Sequence, residues 1–306
     1  MNSPAGNMEA NRTIGITLGD AAGIGPEIIA QALASGKLDP RFEYRLIGSS
    51  KGAIAGSPDL QTAMAARRAL EEAARLAGNG EIAAVVTGPV SKARMHAAGF
   101  HFPGQTEFFA ARCQVENFAM LLTGGALTVA LVTAHIPLRE VADALRPGEI
   151  VRVGGLLADF LRLRHAGRPV RIAVAGLNPH AGESGALGME EIEVITPATA
   201  LLQEQWAGRA TFSGPISPDT VFHRAAAGEF DGVLCMYHDQ GLIPLKLHAF
   251  DEGVNVTIGL PYPRTSPDHG TAFEIAGRGI ARPESTIAAI RLASELVLKI
   301  EENGAR

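Results

Sequence analysis

Three histidines stand just past the ends of apolar, β-rich runs: His135 in TAHIPL, His180 in LNPHAGE and His238 in MYHDQG. Neutral imidazole is a frequent ligand of divalent metal ions, and three of them leave coordination positions open for a substrate. One histidine at a strand end is more simply a buried, hydrogen-bonded imidazole, and separations this long do not say whether the three meet. Asp219 and Asp239 are acids that can add ligands, orient a histidine or take up a proton. Lys246, Asn255 and Arg264 follow the third histidine and suit the anionic ends of a substrate, Arg264 by bidentate pairing with carboxylate or phosphate. Taken singly, Lys246 and Arg264 read equally well as solvent-facing charges. Upstream, Gln105, Thr106 and Glu107 form a polar knot before Phe108 and Phe109, which helix capping explains almost as well as a ligand does. Lys92, in TGPVSK, is either an anion contact or a solvated loop lysine. His96, His101, His165, His223 and His248 lack such settings and read as surface or packing residues.

These groups need elements to hold them at one end of a sheet. Residues 13–18, 83–87, 128–133, 170–175, 232–236 and 254–258 read as strands. Between them lie helices, one over 58–77 with Ser57 as N-cap, Pro58 at the first helical position and Gly78 past the end. Leu60, Ala63, Leu70, Ala73 and Ala77 would share its buried face. A second helix covers 284–301, with Ile287, Ile290, Val297 and Ile300 on one stripe. Strands alternating with helices imply an α/β fold with a largely parallel sheet, whose ligands gather at the carboxyl ends of strands. The first such end, GDAAGIGPEII over 19–29, contains Asp20 and starts a helix at Pro26. It matches neither GxGxxG nor a P-loop, so it is either a tight strand–helix turn or an anion-facing helix start. Residues 119–138 are apolar enough to suggest a membrane span. Gly124-Gly125, His135 and Pro137 break the run, which favours strand-turn-strand.

Bulk composition narrows the class. With 306 residues, 46 % hydrophobic and 19 % charged, the chain reads as a soluble globular protein with a sizeable core. The formal net charge is -5 without a basic stripe, and aromatics make up 5 %, which argues against nucleic-acid binding. Cys113 and Cys235 belong to no CxxC pair, so a reducing cytoplasm is the natural compartment. The first twelve residues are polar and read as a loose tail.

Together, GDAAGIGPE, TGPVSK, LNPHAGE, YHDQG and RTSPDHGTAFEIAGRG resemble the 4-hydroxythreonine-4-phosphate dehydrogenases of pyridoxal phosphate synthesis and relatives acting on other phosphorylated hydroxy acids. The resemblance runs from Thr13 to about Ala293. It implies an isocitrate/isopropylmalate dehydrogenase-like fold, with two α/β lobes around an active-site cleft. The approximate division is a cofactor-side lobe over 1–100 plus 251–306, and a metal, substrate and dimerisation lobe over 101–250. It also implies a homodimer whose sites are shared between subunits, with His135, His180 and His238 as metal ligands drawn from both. Gln105, Thr106, Lys246, Asn255 and Arg264 match substrate-binding positions. The run from Asp268 through His269, Gly270, Thr271, Ala272 and Ile275 matches the loop that holds the adenosine part of NAD or NADP.

The reaction so implied uses one divalent ion (Zn, Mg, Mn or Co). It oxidises 4-phosphooxy-L-threonine, with NAD(P)⁺ as hydride acceptor, to a β-keto acid that decarboxylates to 3-amino-2-oxopropyl phosphate. Lys246, Asp239 or Asp219 would assist proton transfer. This sequence departs from the family pattern at Gln105, where histidine is usual, and at Ala21, where proline is usual. The stretch from 50 to 58 is also short. Glutamine cannot exchange a proton, so Gln105 keeps other substrates open, such as 4-phosphothreonate or 4-phosphoerythronate. A metal-dependent hydrolase would leave the DHGT loop unexplained, and a non-catalytic binder the intact histidine set.

Overall fold

In the computed structural model, which describes residues 11–304, ten strands form a single sheet. The first part of the chain supplies β1 (Thr13–Thr17), β2 (Glu43–Ile47) and β3 (Ala84–Thr87), with α1 (Gly25–Ala34), α2 (Leu60–Gly78), α3 (Lys92–Ala97) and α4 (Gln105–Arg112). The middle supplies β4 (Ala119–Gly124), β5 (Leu127–Leu131), α5 (Val141–Ala144), α6 (Pro147–Arg164), β6 (Val170–Ala175), α7 (Thr196–Gln205), β7 (Ala210–Ile216), α8 (Pro218–Ala226), β8 (Gly232–Cys235) and α9 (His238–Ala249). Strands β9 (Val254–Ile258) and β10 (Arg264–Pro267) then return to the first part, and α10 (Glu284–Gly304) follows. The order across the sheet is β2-β1-β3-β10-β9-β4-β5-β8-β6-β7. All neighbours are parallel except β10–β9, β9–β4 and β4–β5. Strands from the two ends of the chain thus make one half of the sheet, and the middle of the chain makes the other.

Both faces are covered, and the strands show why. Successive side chains point to opposite faces, so a strand buried on both sides must be apolar at every position. In β3, Ala84 and Val86 join the core under α1, α6, α7 and α10, while Val85 joins that under α2, α3 and α4. In β8, Leu234 faces the first of these cores, and Val233 and Cys235 face a third under α8 and α9. Each Val, Leu or Ile withdrawn from water in this way contributes about 2 kcal/mol.

The six expected strands are present to within a few residues, and 119–138 begins with the β4–β5 hairpin. No described helix is long and apolar enough to cross a membrane. Two expectations need correction. Helix α2 is capped by Asp59, not Ser57: its carboxylate accepts from Thr62 N at 2.8 Å while Thr62 Oγ1 accepts from Asp59 N at 3.4 Å. A reciprocal capping box satisfies two free amides, which a serine one residue before proline does not, so Pro58 lies outside the helix. Leu60 consequently turns outward, 50 % exposed, while Ala63, Leu70, Ala73 and Ala77 pack inward. Helix α10 runs on to Gly304, and Ile300 sits off its buried stripe at 46 % exposed. Of the unforeseen strands, β2 and β10 are polar and β7 is interrupted by Ser213, Gly214 and Pro215; β2 and β7 are the sheet edges, and β10 carries Arg264. Residues 1–10 of the expected tail lie outside the described residues. Asn11 and Arg12 are tied down, to the Gly80 carbonyl and to Glu301.

For function, the central fact is that β5, β8 and β6 are parallel neighbours. The segments bearing His135, His238 and His180 therefore leave the same edge of the sheet side by side.

Candidate active site

A cleft of about 210 Å³ opens beside β3, β10 and the start of α4. Arg264 forms its floor. The guanidinium comes from β10, is 2 % exposed, and is buried by Phe109, whose ring centroid lies 5.6 Å from Cζ. Nη2 donates to Thr87 Oγ1 at 2.6 Å and to Gln105 Oε1 at 2.9 Å. Nη1 donates to Thr257 Oγ1 at 3.3 Å and Asn255 Oδ1 at 3.4 Å, and Nε has no partner. All four acceptors are neutral, and no carboxylate pairs with Arg264 among the described residues. Burial pushes its pKa down to about 10, against a smaller opposing pull from Glu107, so it stays charged at neutral pH. A buried cation without a counter-ion is costly and is well matched to an incoming anion.

The wall facing Arg264 is the start of α4. Gly104 is its N-cap, and Gly104, Gln105 and Thr106 all line the cleft, so unpaired amides and the positive end of the helix dipole lie at its edge. Thr106 Oγ1 is 3.2 Å from Thr257 Oγ1, which links α4 to β9. Gln105 Nε2 points to the Gly88 carbonyl at 3.5 Å, so its amide is oriented with oxygen towards Arg264. Lys92 adds a second positive charge at the rim, and Met95, Phe100, Phe102 and Met120 make the apolar side.

His135 also lines this cleft, and its ring centroid is 5.8 Å from that of His238. His180 does not join them. Among the described residues no three His, Cys, Asp or Glu side chains converge to hold an ion, and His180 lies exposed on the turn after β6. The three imidazoles nevertheless share one arrangement. Nδ1 faces a carboxylate in each: Glu107 at 3.6 Å for His135, Glu183 at 2.9 Å for His180 and Asp239 at 2.6 Å for His238. For His180 and His238 these are hydrogen bonds in which the carboxylate accepts and Nδ1 donates, which leaves Nε2 free, whereas the His135 contact is longer than a hydrogen bond. Burial works to raise the Glu107 pKa, but the neighbouring His135 imidazole and its own backbone amide outweigh this and hold the carboxyl below its usual value. Carboxylate-oriented imidazoles with a free Nε2 fit a metal-ligand role.

Lys246, in the last turn of α9, stands outside the cleft lining with Nζ 3.0 Å from Asp268 Oδ2. Asp239 is occupied with His238, and Asp219 accepts from Ser217 Oγ at 2.6 Å in an exposed position. The loop after β10 packs on the turn after β1. Ile24 N donates to the Thr271 carbonyl at 2.9 Å, and a Cβ on Gly23 would fall 2.7 Å from that same oxygen, so only glycine permits the approach. This contact favours the tight-turn reading of GDAAGIGPE over the anion-facing one. Ala272 takes a φ of +41°, Ile275 N returns to the Ala272 carbonyl, and Gly270 is exposed with open space around it. His269 lines the cleft. Burial lowers its pKa, Nδ1 donates to the Gly270 carbonyl at 3.2 Å, and the buried Nε2 is left as an unpartnered acceptor.

Gln105, Thr106, Asn255, Arg264, His135 and His269 are thus gathered around one cleft, His238 adjoins it, and Lys246 is tied to the neighbouring loop. His180 and Asp219 stand apart from it. Sequence reasoning missed Thr87 and Thr257, the hydroxyls that hold Arg264, and did not single out Glu183 as a partner of His180. Thr257 lies two residues from Asn255 on the same strand face, and Glu183 three residues from His180, so both were within reach of spacing arguments.

A family model described as pyridoxal phosphate biosynthetic protein PdxA matches residues 27–293. The 4-hydroxythreonine-4-phosphate dehydrogenase of Caulobacter vibrioides is 41 % identical over 331 residues, covering 94 % of this chain and 98 % of that protein. The D-threonate 4-phosphate dehydrogenase of Salmonella typhimurium is 39 % identical, covering 93 % and 99 %. A crystal structure of the 4-hydroxythreonine-4-phosphate dehydrogenase from Klebsiella pneumoniae superposes with a TM-score of 0.80 at 38 % identity, covering 94 % of this chain and 100 % of that one. Isocitrate dehydrogenase from Methylococcus capsulatus, at 15 % identity and a TM-score of 0.52 over 96 % and 86 % of the chains, shares the fold alone.

Proposed function

This chain belongs to the family of pyridoxal phosphate biosynthetic protein PdxA, and from that premise we propose that it is a metal-dependent, NAD(P)-linked dehydrogenase of 4-phosphooxy-L-threonine. Its product would be a β-keto acid that decarboxylates to 3-amino-2-oxopropyl phosphate. The observation that carries this reading is Arg264, a buried guanidinium held by four neutral acceptors at the floor of a cleft. A phosphorylated or carboxylated substrate supplies the counter-ion that the fold leaves out, with the α4 amides and Lys92 beside it.

The remaining residues fall into roles by position. Thr106, Gln105 and Asn255 orient the substrate around Arg264. His135, His180 and His238, drawn from two subunits, would hold the ion, with Glu183 and Asp239 orienting their rings by hydrogen bonds and Glu107 facing His135. A bound divalent ion of the Zn, Mg, Mn or Co class supplies Lewis acidity at the substrate hydroxyl. The residues 268–275 take the adenosine side of NAD or NADP, and the nicotinamide serves as hydride acceptor. Of the three candidates for proton transfer, Lys246 is favoured, because its ion pair with Asp268 holds it against the loop whose His269 lines the cleft, whereas Asp219 is exposed and apart from it and Asp239 is engaged with His238. Asp268 keeps the Lys246 ammonium beside the nucleotide loop.

A homodimer suits this chain for two reasons. His180 is separated from the other two histidines, and apolar side chains near the site face outward: Ile243, Leu247 and Phe250 along α9, with Leu138 and Leu187 nearby in sequence to His135 and His180. The cofactor-side lobe would take the half of the sheet with β1, β2, β3, β9 and β10, on which α4 also packs, and the metal, substrate and dimerisation lobe the half with β4 to β8. Cys113 and Cys235 are both unpaired thiols, in keeping with a cytoplasmic enzyme. A second substrate reading, a phosphorylated hydroxy acid such as 4-phosphothreonate, is favoured by Gln105 and by the likeness to the D-threonate 4-phosphate enzyme.

The test is to give purified protein a divalent metal, NAD⁺ or NADP⁺ and a panel of phosphorylated hydroxy acids, and to follow nicotinamide reduction. Reduction with 4-phosphooxy-L-threonine is expected. Reduction only with another acid of the panel selects the second reading, and none with any candidate despite nucleotide binding removes both.

A further inference from the structure

The turn that carries His180 is left-handed. His180, Ala181, Gly182, Glu183 and Ser184 have φ of 52°, 53°, 81°, 44° and 56°, and four of the five are not glycine. L-residues avoid this region, and a run of them persists only where the surroundings over-determine it. One buried side chain packs inside this turn and bonds to the residues that lead into it. Glu191, in the π-helical turn Glu191–Ile195 before α7, is 2 % exposed. Its Oε1 accepts from Leu177 N and Asn178 N, each at 2.7 Å, and its Oε2 from Asn178 Nδ2 at 3.0 Å. The carboxylate fills the inside of the turn, since a Cβ on Gly182 would fall 2.6 Å from Oε2. No cation pairs with Glu191 among the described residues, so its charge is met by these donors alone. The anchored segment is also joined to the other histidine segments. Buried Gln240 donates to the Gly176 carbonyl at 2.7 Å and accepts from Met236 N at 2.6 Å, and Thr133 Oγ1 donates to the Met236 carbonyl at 2.8 Å.

We propose that Glu191 is a positioning residue for His180: its buried carboxylate holds the left-handed turn in the shape that presents the imidazole, while touching neither substrate nor metal. The proposal rests on His180 being a metal ligand, as in the function proposed above. A carboxylate that accepts two backbone amides and a side-chain amide from Leu177 and Asn178, the residues leading into the turn, is a stronger restraint than a neutral acceptor, because charge-assisted hydrogen bonds are roughly twice as strong. Its loss would let the turn relax towards right-handed backbone and carry His180 away from its place.

The test uses Co²⁺ as a visible-absorbing probe on the full-length protein and its variants Glu191→Ala, Glu191→Gln, His180→Ala and the Glu191→Ala/His180→Ala double. Glu191→Ala should weaken Co²⁺ affinity by about tenfold to a hundredfold, the range for groups that orient a ligand. It should also speed hydrogen exchange at Leu177 and Asn178 in the metal-free protein. Glu191→Gln keeps one acceptor for the two amides and should lose less; it also decides the matter if the alanine variant does not fold. The double variant should bind Co²⁺ no more weakly than His180→Ala alone, because Glu191 acts through His180. Wild-type Co²⁺ affinity in a folded Glu191→Ala, or full additivity in the double, overturns the proposal while leaving His180 as a ligand. Unchanged affinity in His180→Ala overturns it by removing the reading beneath it.

Discussion

Replacing Arg264 with methionine separates binding from stability in a way that few substitutions do. Burial disfavours the charged form of the guanidinium and pushes its pKa down to about 10, well below its ordinary value. That difference corresponds to a cost of about 3 kcal/mol for keeping the charge in the folded protein. Methionine is apolar, though shorter, and removes the cost, but it also removes two short hydrogen bonds from a charged donor, about 1.5 kcal/mol each, and two weaker ones at 3.3 and 3.4 Å, about 0.5 kcal/mol each. The freed acceptors border the cleft and can turn to water, so the two effects nearly cancel. Unfolding in urea without ligand should give a stability within about 2 kcal/mol of the parent. Binding behaves differently. A phosphate or carboxylate that pairs with both arms of the fork loses two charge-assisted bonds, about 3 to 5 kcal/mol, or a hundredfold to a few thousandfold in affinity. Titration calorimetry with the substrate, and kcat/KM, should both report that loss. A variant that loses more than about 4 kcal/mol of stability yet binds the anion normally would refute the reasoning, since Arg264 would then be a structural cation.

Three further outcomes follow from the geometry. Gln105→His removes the acceptor that faces Arg264 Nη2 and puts a titratable ring there. The ratio of kcat/KM between 4-phosphooxy-L-threonine and 4-phosphothreonate should change by about tenfold or more and become pH-dependent, and an unchanged, pH-independent ratio makes Gln105 a bystander. Lys246→Ala should lower kcat by about a hundredfold or more, the range for a proton-transfer group, and near-normal steady-state kinetics would end its candidacy. Asp231 concerns the fold only. Burial would raise its pKa, but hydrogen bonds from Arg168 and from the Arg171 backbone and side chain draw it down to about 2 from 3.8. Its stabilisation is complete above pH 3.8 and is lost as pH falls from there to about 2. Both arginines are about half exposed, so Asp231→Asn should cost only about 1 kcal/mol at neutral pH, with the gap to the parent closing in acid.

The readability of this chain was uneven for identifiable reasons. Runs such as VRIAVA and GVLC announce doubly covered strands, because burial on both faces demands apolar residues at every position. Edge strand EYRLI and the polar RTSP carry no such signal, and only their neighbours make them strands. Cap choice was equally local yet misread: Ser57-Pro58 looks like a helix start until Asp59 and Thr62 are seen to satisfy each other's amides.

At the site the division is sharper. Residue types and local order determined by themselves that the chain is α/β, that three histidines follow three strands, and which family its motifs match. Those properties are written in stretches of a few residues, over which periodicity and spacing act. Tertiary structure alone decided that Arg264 is buried without a counter-ion, held by Thr87 and Gln105, which lie 177 and 159 residues away in sequence. It alone decided that Glu107 faces His135 and that Glu191 holds a left-handed turn under His180. Desolvation and hydrogen-bond geometry depend on which distant segments pack together. The reactive character of these residues therefore arises only when the sheet brings β3, α4, β9 and β10 to one place.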